Sequence, residues 1–109
     1  MRRGRKKLEW KLPLYVGDEI GYPDLLRKKM DAGLIDRKRY LITLSENPGN
    51  QLELFSASFM KQEAFWNLCP PIIGVAGSKA DAVQVVQRIA EECLQETGNC
   101  NIREYLKNR

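Results

Sequence analysis

The stretch GVAGSK, residues 74–79, contains the residue types from which phosphate-binding loops are built. Backbone N–H groups at the start of a helix attract anions. The spacing excludes two specific loops. A P-loop needs a longer segment that ends in Gly-Lys-Ser or Gly-Lys-Thr, and a dinucleotide fingerprint needs three glycines at G-x-G-x-x-G. What is left is a candidate anion site of a general kind, formed by Gly77, Ser78 and Lys79.

The same residues are also suited to begin a helix. Ser78 is a favoured N-cap residue, and Asp81 lies three residues later, where its side chain can reach back to the cap. The Asp81 carboxylate also brings negative charge to the place where a phosphate would bind. The helix-cap interpretation therefore accounts for more of these residues than an anion site does.

The chain contains no histidine among its 109 residues. Histidine is the commonest general base near neutral pH and the commonest metal ligand, so Ser-His-Asp and Cys-His centres are excluded. The cysteines, Cys69, Cys93 and Cys100, form no C-x-x-C pair. We therefore predict a protein that is not an enzyme, with no cofactor and no metal site. An enzyme that works through carboxylates or Cys69 is the remaining alternative.

Positive charge is concentrated at the N-terminus of the chain. The formal net charge is +4, yet residues 8–109 hold 13 basic and 14 acidic residues. The excess of basic residues thus lies in the segment MRRGRKK. We predict a flexible basic arm at residues 1–7, followed by a single α+β domain at residues 8–109.

Nucleic acid is one partner that this charge distribution suggests, because phosphates bind arginine and lysine side chains. The alternative is that a short basic terminus only aids solubility, and that nearby aspartates offset the second basic cluster. The candidate nucleic-acid contacts are Arg2, Arg3, Arg5, Lys6, Lys7, Lys28, Lys29, Arg37, Lys38 and Arg39.

A protein partner is the main prediction, and it rests on the aromatic segment FMKQEAFWNL at residues 59–68. Exposed tryptophan or phenylalanine side chains anchor protein interfaces, whereas buried ones would cover the core. Acidic residues near the end of a long helix would form the rim. The predicted interface residues are Phe59, Phe65, Trp66, Glu92 and Glu96. We thus expect a small interaction module, with nucleic-acid binding as the alternative and a homo-oligomer also consistent with the sequence.

The spacing of apolar residues predicts the helices and strands that must position these residues. Alternating apolar residues, turn clusters and caps predict strands at 11–17, 40–44, 51–57 and 72–76, and helices at 23–33, 61–68, 79–96 and 101–109. The stripe expected to face the core in the long helix is Val83, Val86, Ile89, Ala90, Cys93 and Leu94. The predicted fold is a small two-layer α+β sandwich, in which a three- to four-stranded, mostly antiparallel sheet has helices packed on one face.

Membrane insertion is not expected, because no stretch approaches the ~20 apolar residues that cross a bilayer. The basic N-terminus also lacks the apolar run that a secretory signal needs. We therefore expect a cytoplasmic protein with reduced thiols.

Overall fold

The computed structural model describes residues 5–47 and 49–108 of the chain. The strands there are β1 (Trp10–Val16), β2 (Tyr40–Leu44), β3 (Leu52–Ser56) and β4 (Ile72–Ala76). The α-helices are α1 (Pro23–Asp31), α2 (Glu63–Leu68), α3 (Lys79–Thr97) and α4 (Ile102–Lys107), and a 3₁₀ helix spans Ala57–Lys61. None of these helices combines the length and the apolar character needed to cross a membrane.

The sheet has the strand order β1-β4-β2-β3. β2 runs antiparallel to both of its neighbours, whereas β1 runs parallel to β4. An α+β domain with a mostly antiparallel four-stranded sheet is therefore confirmed.

The central strand β4 contains a bulge. Gly74 lies opposite Ile42, but the next pair joins Thr43 to Ile72. Ile73 of β4 therefore has no opposite residue in β2, which is a β-bulge. A Cβ atom on Gly74 would lie 3.1 Å from the Tyr15 carbonyl oxygen and 3.2 Å from Ile42 Cδ1. Glycine suits this position because the neighbouring strands leave little room for a side chain.

One face of the sheet packs against α3 and α4. Ser78 caps α3 by accepting from the Asp81 N–H, and Gly98 ends it in the left-handed conformation with φ of 76°. The buried face of α3 is rotated from the predicted stripe. Val83 and Leu94 are exposed, and the buried residues are Asp81, Ala82, Val85, Ile89 and Cys93. The inward direction of Asp81, described below, accounts for this rotation.

The other face has a core of its own. Met30 of α1, Met60 of the 3₁₀ helix and Trp66 of α2 are buried there against β2 and β4. Both central strands are apolar on both sides, so each face needs a cover. α3 and α4 thus form the expected helical layer on one face, and shorter helices also pack on the opposite face.

Two residues of the predicted flexible arm at 1–7, Arg5 and Lys6, contact the folded domain. The Lys6 N–H donates to Asn67 Oδ1 at 2.8 Å, and the Lys6 carbonyl accepts from Trp66 Nε1 at 2.7 Å. Lys6 Nζ also donates to the Cys69 carbonyl at 2.6 Å. The Arg5 guanidinium lies 4.6 Å from the Trp66 ring centroid, within cation–π distance. Residues 5 and 6 therefore belong to the folded domain, and residues 1–4 lie outside the described part of the chain.

Candidate functional site

The glycine-serine turn before α3 holds a carboxylate of the chain itself. Asp81 is buried, and its carboxylate accepts from the Gly77 N–H at 2.9 Å, the Asp18 N–H at 3.0 Å and the Glu19 N–H at 3.2 Å. The Ser78 hydroxyl in turn accepts from the Asp81 N–H at 3.2 Å.

This arrangement bears directly on the candidate anion site. The amide of Gly77, which would have to bind the anion, donates to Asp81 instead, and the side chain of Lys79 is exposed. A Cβ atom added at Gly17 would overlap the Asp81 carboxylate, so the two chain segments are in close contact. The geometry favours the cap interpretation, since a buried carboxylate already occupies the turn.

Asp81 has a second effect, because two of its donors belong to the loop between β1 and α1. The carboxylate therefore ties residues 18 and 19 to the start of α3. The same loop continues through residues 20–22 into α1 and forms one wall of a groove.

The groove has a volume of about 520 Å³ and lies between this loop, α1, the segment after α1 and the end of the 3₁₀ helix. The side chains that give it its character are Tyr22, Leu25, Lys29, Leu34, Arg39 and Lys61. It combines an apolar surface with basic side chains at its margin.

The apolar part of the groove is unusually open to solvent. Tyr22 is 78% exposed, Leu34 63% and Leu25 49%. Isolated exposed leucines are common, but a cluster that lines one concave surface makes the groove a candidate interaction site. The pattern in the sequence did not identify it, because Leu34 lies at helical spacing from Met30, which is fully buried. Helical spacing alone does not show that α1 contacts the core mainly through Met30.

The margin of the groove is positively charged. Lys29 and Lys61 are exposed, and Arg39 lies half-buried between them and the sheet. Arg39 Nε pairs with Asp36 Oδ2 at 3.1 Å, and its Nη1 donates to the Gly77 carbonyl at 3.5 Å. One acidic residue thus offsets one of three basic residues, and the groove keeps a net positive charge.

The aromatic residues of the predicted interface differ in exposure, because the fold buries Trp66 and leaves Phe59 at the surface. Trp66 is only 2% exposed and lies in the core, which corrects the prediction that it anchors a partner. Phe65 packs edge-on against Phe55, with ring centroids 4.9 Å apart, and stacks on Phe59 at 5.3 Å. Phe59 is exposed, so the aromatic cluster reaches the surface through this residue.

The acidic residues predicted to form the rim lie on α3, which covers the opposite face of the sheet. Glu92 accepts from Tyr15 Oη at 2.9 Å and from Tyr105 Oη at 2.7 Å, and thereby links β1 to α4. Glu96 is exposed. Since Glu92 is used within the fold and lies away from Phe65, these residues do not form one interface with the aromatic segment.

The candidate nucleic-acid residues are also dispersed. Arg5 and Lys6 contact α2, while Lys29 and Arg39 lie at the groove. Arg2 and Arg3 lie outside the described residues. Lys7 lies with Arg5 and Lys6 in a second groove beside Trp66, and the side chains exposed elsewhere on the surface are Lys28, Arg37 and Lys38.

The cysteines offer little reactivity inside the fold. Burial raises the pKa of the Cys69 thiol to about 11, and the nearby Lys6 ammonium offsets part of that rise. Cys93 is buried in the core and Cys100 is exposed. In residues 5–47 and 49–108, histidine, cysteine and acidic side chains form no group of three or more suited to a metal ion.

Comparison with protein families, with curated proteins and with solved structures found no match to this chain.

Proposed function

We propose that this protein is a small interaction module that binds an acidic, apolar segment of another protein in the groove beside α1. The observation that carries the proposal is the joint presence of three exposed apolar side chains, Tyr22, Leu25 and Leu34, and a basic margin on one concave surface.

The apolar side chains favour a peptide over a nucleic acid. Leucine side chains gain free energy when apolar groups of a partner cover them, and phosphates or riboses do not provide such a cover. Tyr22 could stack on a base, but nucleic-acid sites surround their stacking residues with unpaired cations. Here one of the three basic side chains, Arg39, is already paired with Asp36, and the side chains beside Tyr22 include the exposed leucines.

The basic margin specifies the charge of the partner. Lys29 and Lys61 would face carboxylates that flank apolar anchors of the bound segment, and complementary charges mainly increase the association rate and the selectivity. The expected partner segment therefore presents leucine-like side chains on one side and aspartate or glutamate beside them, in the manner of an amphipathic helix in a groove.

The test uses a fluorescein-labelled helical peptide in which leucines form one face and glutamates lie beside that face. Fluorescence anisotropy should show binding to this peptide, and much weaker binding when its leucines are replaced by serine or its glutamates by lysine. A single-stranded DNA oligonucleotide serves as the competing ligand. Binding of the oligonucleotide with a steep salt dependence, and no binding of the acidic peptide, would instead support the nucleic-acid alternative.

Two leucines provide a matched pair of variants. Leu25 and Leu94 are both helical and both 49% exposed, but only Leu25 lines the groove. Leu25→Ser should weaken peptide binding about five- to tenfold, because roughly half of a leucine side chain is no longer buried by the ligand. Leu94→Ser should leave the affinity unchanged. Equal effects of the two substitutions would contradict the assignment of the groove.

A further inference from the structure

The two edges of the sheet are built differently. β1 carries Lys11 and Pro13, and its register with β4 shifts between Trp10 and Tyr15. A lysine, a proline and an irregular register are features that keep an edge strand from pairing with another chain. β1 is thus a protected edge.

β3 lacks these protective features. Its sequence is LELFS, and all five residues pair with β2 in regular antiparallel register. It contains neither lysine nor proline, and Glu53 is its single charged residue. A regular, mostly apolar edge strand of this kind is a template for a further strand.

The hydrogen bonds at the two ends of the hairpin show which groups of β3 are available. The Ser45 N–H donates to the Gln51 carbonyl at 3.1 Å, and the Ala57 N–H donates to the Arg39 carbonyl at 2.9 Å. Hydrogen-bonded and non-hydrogen-bonded pairs alternate along an antiparallel ladder. The backbone N–H and C=O groups of the odd-numbered residues of β3 therefore point toward β2. The N–H and C=O groups of Leu52, Leu54 and Ser56 point away from it.

We infer that β3 pairs with β3 of a second copy of this chain, so that the two sheets form one continuous sheet across a twofold axis at Leu54. In this antiparallel register Leu54 lies opposite Leu54 of the second copy, and Leu52 lies opposite Ser56. Leu54 can exchange two hydrogen bonds with its counterpart and the Ser56 N–H can donate to the Leu52 carbonyl, whereas the Ser56 carbonyl is shared with the first turn of the 3₁₀ helix. The contact is self-complementary, as a twofold interface requires.

The charge on Glu53 disfavours one neighbouring register. With the axis at Leu54, Glu53 lies opposite Phe55 of the second copy. A shift that places the axis at Glu53 would bring two carboxylates directly opposite each other, which is unfavourable, and would leave Ser56 without a partner in β3. The register centred on Leu54 avoids both defects.

Side chains on both faces of the edge would be covered by this pairing. Leu52 and Leu54 are half-buried on the face that α3 covers, and Phe55 is half-buried beside Phe65 on the other face. The second copy completes the burial of these side chains, which explains why an edge strand carries apolar residues on both of its faces.

The first test is the mass of the full chain in solution together with amide hydrogen exchange read by NMR. At high protein concentration the mass should be twice that of one chain, and the amides of Leu52, Leu54 and Ser56 should become protected. On dilution these three amides should exchange faster, whereas those of Glu53 and Phe55 should stay protected because they face β2. A monomer at millimolar concentration, with exchange of the three amides independent of concentration, would overturn the inference.

The second test compares the same substitution on the two edges. Leu54→Lys places two ammonium groups opposite each other at the axis and should give a folded monomer, while Leu12→Lys on β1 should leave the dimer intact. Dissociation by Leu12→Lys alone would place the contact on the other edge and contradict the proposal. Should Leu54→Lys fail to fold, the exchange pattern of the unmodified chain still decides.

Discussion

The thiol of Cys69 lies buried where α2 leads into β4, and it donates to the Pro70 carbonyl at 3.3 Å. Burial disfavours the thiolate and raises the pKa of the Cys69 thiol from its ordinary value near 9 to about 11, although the Lys6 ammonium acts in the opposite direction. The folded chain therefore holds this proton more tightly than the unfolded chain does.

The raised pKa of Cys69 predicts a loss of stability at alkaline pH. A raised pKa in the folded state contributes stability that is fully present below pH 9 and is lost between about pH 9 and 11. The loss should reach about 3 kcal/mol, since one pKa unit corresponds to about 1.4 kcal/mol. Urea unfolding across this pH range should show a steeper decline for the native chain than for Cys69→Ala. Parallel declines would contradict the prediction.

Exposure of single side chains is the part of the site that the sequence could not predict. Trp66 and Leu25 are both large and apolar, yet the fold buries the first against Lys6 and Arg5 and leaves the second half-exposed. The difference depends on contacts between residues that lie some 60 positions apart. The local periodicity of the sequence does not predict such long-range contacts.

Most secondary-structure elements, by contrast, follow from local signals. The alternation at 40–44, the apolar run at 72–76, and the Ser78 cap with Gly98 as terminator were sufficient to predict β2, β4 and α3. The local signals did not predict which side of α3 faces the core, because Asp81 turns inward to reach amides that belong to the loop after β1. A polar contact between distant segments thus sets the rotation of the helix.

This contact between elements yields a prediction for Asp81→Asn. The amide group of asparagine has one acceptor oxygen, and its NH₂ group would face a backbone N–H. At least one of the three donors therefore loses its partner, and the free energy of unfolding should fall by about 2 kcal/mol. Ser78→Ala removes only the cap and should cost about 1 kcal/mol. Chemical denaturation measures both; a smaller effect of Asp81→Asn than of Ser78→Ala would contradict the role given to the carboxylate.

Loss of the hydrogen bonds between Asp81 and the loop after β1 should also change the groove, because the loop forms one of its walls. Asp18 and Glu19 donate to Asp81, and Tyr22 lies only three residues beyond Glu19. In the same anisotropy assay, Asp81→Asn should weaken peptide binding at temperatures where the variant is still folded, while Ser78→Ala should bind normally. Comparing the two variants distinguishes an effect of the loop position on binding from an effect of reduced stability.

At the scale of the whole molecule, the two proposed surfaces use different residues. The groove is formed by α1 and its flanking segments, whereas the proposed dimer contact is formed by β3. A dimer would therefore present two grooves, and two linked sites raise the effective affinity for a partner that carries two acidic segments. Loss of the dimer should leave the affinity of a single groove for a single peptide unchanged.

The most direct measurement is an NMR titration of the isotope-labelled chain with the acidic leucine-containing peptide. The account predicts that amide shifts change around Tyr22, Leu25, Leu34 and Lys61, and that those around Glu92 stay constant. Shifts confined to residues 5–7, or to α3 and α4, or no shifts at a peptide concentration that saturates the anisotropy signal, would contradict it.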